Sequence, residues 1–129
     1  MKYLAAEQVI FIHSVLISET GGMHGIRDLG LLESAIARPQ ATFEGQELYS
    51  DLFLKCAALL DSLVNNHPFV DGNKRTGITA AGIFLKINQW RLDTENQTLE
   101  DFTIEVASKH LPLEAIANWL RHHSRKIEI

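Results

Sequence analysis

From Ala5 to Glu19 the apolar residues Val9, Ile10, Phe11, Ile12, Val15 and Leu16 recur at helical spacing, and Gly21 and Gly22 follow as a stop. The pattern predicts a largely buried first helix. A glycine-punctuated loop, "GGMHGIRDLG", leads into "LLESAIARP", a short helix that Pro39 should end. No period is visible from Gln40 to Tyr49, so that stretch is expected to be an exposed connection or a small hairpin-like flap. Ser50 can cap a third helix through "LFLKCAALLDSLVNN", with Asp51 near the positive end of its dipole. His67-Pro68 fits the stop of that helix, because a residue before proline is pushed toward extended geometry. A helical pattern resumes at Gly72 or Asn73, and "ITAAGIFLKI" is apolar on nearly every face, which puts this helix in the middle of the fold. "NQWRL" reads as a brief extended piece. Thr98 with Asp101 resembles a capping box opening "LEDFTIEVASKH", and Pro112 suits the first position of a last helix through "LEAIANWLRHHSRK". Sustained strand alternation, repeats and low-complexity tracts are all missing. The expected fold is all-α: a bundle of about six helices whose buried central helix follows the segment "HPFVDGNKR".

Composition narrows this picture. At 129 residues and 46% hydrophobic content, the chain fits one compact domain over residues 1–129 with a core of its own. A formal net charge of -4 offers no basic stripe for a phosphodiester backbone, so direct nucleic-acid binding is not expected. Small phosphorylated ligands stay open, since a few local cations suffice for them. The lone cysteine, Cys56, cannot form an internal disulfide and sits among apolar helical neighbours, where a buried inert thiol is expected. No leader of signal-peptide type precedes the first helix, and the apolar stretches fall short of the ~20 residues that cross a bilayer. A cytoplasmic protein without a membrane segment is the expectation. Six histidines invite a metal reading, but no His-Glu-x-x-His occurs, and one cysteine cannot build a structural zinc site of the usual kind. Adjacent His122 and His123 are read as complements to a helix C-terminus, and Trp90 and Trp119 as packing residues.

The chemistry concentrates in "HPFVDGNKRTG", His67 to Gly77. A helix start leaves backbone N–H groups unpaired and carries partial positive charge, so Gly72, Asn73 and Lys74 should present amides to an anion. Gly72 lets a ligand approach the backbone, the Asn73 side chain can add a directed hydrogen bond, Arg75 offers a planar fork and Lys74 a mobile point charge. Each exposed contribution is worth only about 0.3 to 1 kcal/mol, so convergence is what counts. A polyphosphate is the natural guest. Asp71 beside this nest would repel it unless a divalent cation lies between, and Mg²⁺ held by one carboxylate and by substrate phosphates meets that need. His67 on the approach loop can accept a proton from an attacking hydroxyl at neutral pH. Taken singly, each of these side chains is more often structural or solvated, and Phe69 is assigned to the core. A P-loop is excluded: Gly72 and Gly77 have its spacing, but Ile78 and Thr79 stand where Lys and Ser or Thr should follow.

The same residues resemble the signature of the Fic superfamily, His-x-Phe-x-Asp/Glu-Gly-Asn-Gly/Lys-Arg, and the lysine at position 74 is similar to the death-on-curing (Doc) toxins. Similarity extends to "GGMHGIRDLGLLESAIARPQATF" and "GIFLKINQW", covering most of the chain through Leu92. The resemblance implies a compact Fic/Doc-like helical enzyme that moves part of a nucleoside triphosphate onto a protein hydroxyl. His67 would be the base, Asp71 the Mg²⁺ ligand, and Gly72, Asn73, Lys74 and Arg75 the group that holds the ATP phosphates. Typical Fic enzymes have glycine at the position of Lys74 and a second arginine at that of Ile78, and transfer AMP. In Doc toxins the lysine variant goes with phosphorylation of a threonine on elongation factor Tu, which halts translation. A kinase-like toxin is therefore expected, with nucleotidyl transfer and a catalytically silent binding or sensing role as alternatives. The inhibitory pattern Ser/Thr-x-x-x-Glu-Gly/Asn of many Fic proteins is approached only by Ser124 and Glu128, followed by Ile129. Restraint is thus expected from a separate antitoxin whose partly disordered segment enters a groove of this domain.

Overall fold

A computed structural model describes residues 1–128; Ile129, where the inhibitory pattern would need Gly or Asn, lies outside them. Six helices form: α1 (Ala6–Thr20), α2 (Leu29–Ala37), α3 (Leu52–Asn65), α4 (Asn73–Ile87), α5 (Asn96–Lys109) and α6 (Leu113–His122). A 3-10 turn (Arg38–Gln40) follows α2. Two short ribbons complete the set, β1 (Thr42–Phe43) with β2 (Gln46–Glu47), and β3 (Trp90–Leu92) with β4 (Ser124–Lys126), both antiparallel. None of the described helices is long and apolar enough to cross a membrane.

The α3–α4 pair is the axis. Leu59, Leu60, Leu63 and Val64 of α3 and Ala80, Ala81, Phe84 and Leu85 of α4 are buried in one cluster that Leu32, Phe69, Ile116 and Leu120 complete. α6 and α5 lie against α3, and α1 against α4. The expected central helix, α4, is thus buried, and α3 is buried even more completely. Asp51, not Ser50, caps α3: its Oδ1 accepts from Phe53 N (2.8 Å) and Leu54 N (3.0 Å). One carboxylate here both satisfies two free amides and complements the dipole, which a serine one residue earlier cannot reach. Within α3, Cys56 is fully buried, and burial pushes its thiol pKa well up, away from nucleophilic use.

Four departures from the sequence pattern have local causes. First, α1 is a surface helix rather than a largely buried one: Val9, His13 and Ile17 face inward while Phe11 and Val15 are exposed. Second, Lys55 lies on the buried side of α3, 1% exposed, because its Nζ donates to Pro39 O and to Glu47 Oε1 of the hairpin (both 2.9 Å). Burial works against that charge, but the bonds to Glu47 and Tyr3 outweigh it and hold the ammonium pKa above its usual value. Third, α5 starts at Asn96, and the expected Thr98 cap is not used; Asp101 instead accepts from Gln97 one turn earlier (2.9 Å). Fourth, α6 stops at His122. The side chains of His122, His123 and Ser124 each bond the carbonyl four residues back, on Asn118, Trp119 and Leu120, which competes with helix continuation. The chain then pairs with β3, Leu92 opposite Ser124. Trp119 packs as expected, stacked between Phe102 and His123 at 3.8 Å from each.

Candidate active site

The signature segment leaves α3 at Asn66 and enters α4 at Asn73, and two other parts of the chain, with one residue of its own, hold it in place. The loop after α1 runs beside it as a short backbone buttress. Arg27 N and Asp28 N both donate to Pro68 O (2.8 and 3.0 Å), Val70 N donates to Gly25 O (3.0 Å), and Ile26 bridges Phe69. From below, His13 of α1 stacks on the buried Phe69 ring with centroids 3.9 Å apart, and its Nε2 lies 2.7 Å from Asp71 O. From within, Asn73 closes the loop on itself: Oδ1 accepts from Phe69 N (2.9 Å) and Nδ2 donates to Phe69 O (3.0 Å).

The head of α4 has the form of an anion site. Gly72 is the N-cap at φ 78°, a left-handed position that suits glycine, and Ile17 Cδ1 would lie 2.9 Å from any Cβ there. The first helical bond is Thr76 N to Gly72 O (2.9 Å), and among the described residues no side chain caps the three amides of Asn73, Lys74 and Arg75 before it. Those N–H groups carry the positive end of a 15-residue helix. Beside them, the Asp71 carboxylate accepts from Met23 N (3.0 Å, Oδ2) and Gly72 N (2.8 Å, Oδ1). These backbone donors, Met23 first, with Arg75 and His13 nearby, hold its pKa below the usual carboxylate range. It remains an anion at any ordinary pH. Gly22 makes room for it, since a Cβ there would fall 2.6 Å from Asp71 Oδ2.

These residues line a groove of about 680 Å³ between α4 and α5, a size that suits a small organic ligand. One wall is Asp71, Gly72, Asn73, Lys74 and Arg75, continuing to Ile78; the other comes from α5, including Asn96, Leu99, Glu100 and Thr103. Five of the six expected site residues therefore converge, although not all in the expected way. The Asn73 side chain is turned inward and both of its polar groups are engaged with Phe69, so it offers its backbone amide and not a side-chain bond. Arg75 reaches back to the end of α1, donating to Thr20 Oγ1 and to Gly21 O (3.3 Å for the latter). Lys74 is exposed.

His67 is the sixth. It is exposed on the turn before Pro68 and is not among the groove's lining residues. Its φ is 49°, not the extended value expected before proline. A non-glycine residue there costs about 1 to 2 kcal/mol, so something must hold it. The Arg27 guanidinium does, donating Nε to His67 O (2.6 Å) and Nη2 to Asn66 O (2.8 Å). Arg27 and His13 are the residues that sequence reasoning missed. His13 left one signal, its position four residues from both Val9 and Ile17 on the inward stripe of α1. Arg27 left none, because it acts on backbone carbonyls.

Among the described residues no three His, Cys, Asp or Glu side chains converge as a metal cage. Asp71 by itself fits the Mg²⁺ pattern, in which one carboxylate is supplemented by phosphates of the substrate. Residues 3–85 match the model of the Fic/DOC family. The chain is 46% identical over 118 residues to "Toxin Doc" of Mycolicibacterium smegmatis, covering 90% of this chain and 88% of that protein. It is 33% identical over 121 residues to "Protein kinase doc" of Escherichia phage P1, covering 94% of each. On the family match and on both relatives, the chain belongs to the Fic/DOC family.

Proposed function

We propose that this protein is a Doc-type toxin and protein kinase, transferring the terminal phosphoryl group of Mg-ATP to a serine or threonine hydroxyl of a protein target. The observation that carries this reading is the row of uncapped amides of Asn73, Lys74 and Arg75 on a groove that also holds an ionised Asp71. Amides and Lys74 would take the phosphate oxygens, which in phosphoryl transfer supplies most of what a protein can contribute. Magnesium would be shared between Asp71 and the phosphates and would offset their charge. His67 accepts the hydroxyl proton as the oxygen attacks the terminal phosphorus; the bond from that phosphorus to the bridging oxygen breaks and ADP leaves. Ile78 favours this over nucleotidyl transfer. It lines the groove one turn into α4, where the nucleotidylating pattern requires a second arginine, so that stretch of wall is apolar. The names of the two relatives, a toxin and a protein kinase, support the same reading. By resemblance the target is elongation factor Tu, the consequence is arrest of translation in the cytoplasm, and control lies with an antitoxin acting in trans.

Incubation of the protein with elongation factor Tu, ATP and Mg²⁺, followed by intact-mass measurement, tests the proposal. A gain of one phosphate is expected. A gain of one nucleoside monophosphate would replace it with the nucleotidyl reading. An unmodified target across several nucleotides would point to a silent binding role.

A further inference from the structure

We propose that Arg27 is the positioning residue of the site: its guanidinium fixes the backbone of His67 in the left-handed geometry from which the imidazole works. Three observations converge. His67 has φ 49° immediately before Pro68, a combination that the chain avoids unless it is held. Arg27 places two donors on the two consecutive carbonyls of that turn, Nη2 on Asn66 O at 2.8 Å and Nε on His67 O at 2.6 Å. Asn66 is also the C-cap of α3, so the cation stands where the helix presents its free carbonyls and partial negative charge.

The backbone of the same residue has a separate task. Arg27 N and Asp28 N both donate to Pro68 O, and Asp28 caps α2 by accepting from Leu31 N (3.0 Å). These bonds do not involve the Arg27 side chain, so removing the guanidinium leaves the loop docked and α2 capped while freeing the 66–67 turn. Without the fork, the preference of a residue before proline draws His67 toward extended φ and redirects its side chain. Lysine can bond one carbonyl but not both in this fixed geometry. Because the guanidinium is exposed, a direct role on phosphate is the rival reading, and it makes a different kinetic prediction.

The inference rests on His67 as the base, and the test separates the two. Wild type, Arg27→Met and Arg27→Lys are compared by phosphoryl transfer kinetics and by the intraresidue Overhauser effect between the His67 amide and α protons, which is strong at positive φ. We expect Arg27→Met to lose roughly 10- to 100-fold in kcat, with KM for Mg-ATP within about twofold of wild type, a melting temperature within a few degrees and a weakened His67 effect. Arg27→Lys should recover part of both. A raised KM at unchanged kcat would overturn the proposal in favour of phosphate contact. An unchanged His67 effect in Arg27→Met would overturn it whatever the activity. If wild type transfers no phosphate while Arg27→Met still shows the weakened His67 effect, the positioning stands and only the kinase reading is removed.

Discussion

The interior of α3 and the signature loop that follows it, residues 66–72, are held by opposite means. Over Cys56–Leu60 the helix is buried almost without exposure and is fixed by apolar packing on α4 and α6. Phe69 is buried in the loop, but its neighbours His67 and Val70 are exposed, and direction comes from bonds delivered by Arg27, His13, Asn73 and Met23. Apolar burial is non-directional and tolerates small shifts, whereas a hydrogen bond loses most of its worth on a modest misalignment. The helix therefore sets whether the protein folds, and the loop sets where its reactive groups stand.

Substitutions can break this contrast. The largest effect is expected from His67→Ala, which should lower phosphoryl transfer by about 10² to 10⁴ while shifting stability by no more than about 0.5 kcal/mol, measured by single-turnover kinetics and urea unfolding. Phe84→Ala should do the reverse: a loss of about 3 to 5 kcal/mol in urea unfolding, with kcat per folded molecule retained. Asn73→Ala sits on the boundary, since it strands the Phe69 N–H and C=O in a buried place. It should cost about 1 to 3 kcal/mol and also reduce transfer, seen by running both assays on the same sample.

The smallest effect concerns acid. The Asp71 pKa is lowered in the folded protein, so its stabilising contribution is fully present above the ordinary carboxylate value of about 4 and is lost as pH falls through the lower folded value. Melting curves of wild type and Asp71→Asn should differ at neutral pH and converge only under strongly acidic conditions. Convergence already near pH 6 would show that the carboxylate is not held as described.

Much of this was legible in the sequence because it is local. Helical periods located all six helices, and the aperiodic Gln40–Tyr49 stretch is the β1–β2 hairpin. The residues lining one wall of the groove are consecutive, so a contiguous motif displayed them together. What stayed hidden depends on partners far along the chain. Ser124–Lys126 reads as the end of a helix until Trp90–Leu92 is beside it. The buried place of Lys55 depends on Pro39 O and Glu47, which only the fold brings to its ammonium. Arg27 and His13 act on carbonyls 40 and 58 residues away, and a carbonyl is common to every residue, so no complementary side chain marks its donor. The outward face of α1, with Phe11 and Val15 exposed, shows that apolar spacing fixes a helix more surely than the depth at which it lies.

The central claim is that the uncapped start of α4 binds the phosphates of a magnesium nucleotide. Its most direct measurement is a titration of ¹⁵N-labelled protein with Mg-ATP, following the backbone amide resonances. The account predicts saturable shifts concentrated on Asn73, Lys74 and Arg75, abolished when magnesium is chelated or Asp71 is replaced by Asn. Shifts confined to other surfaces, or binding that leaves these three amides unmoved, would contradict it.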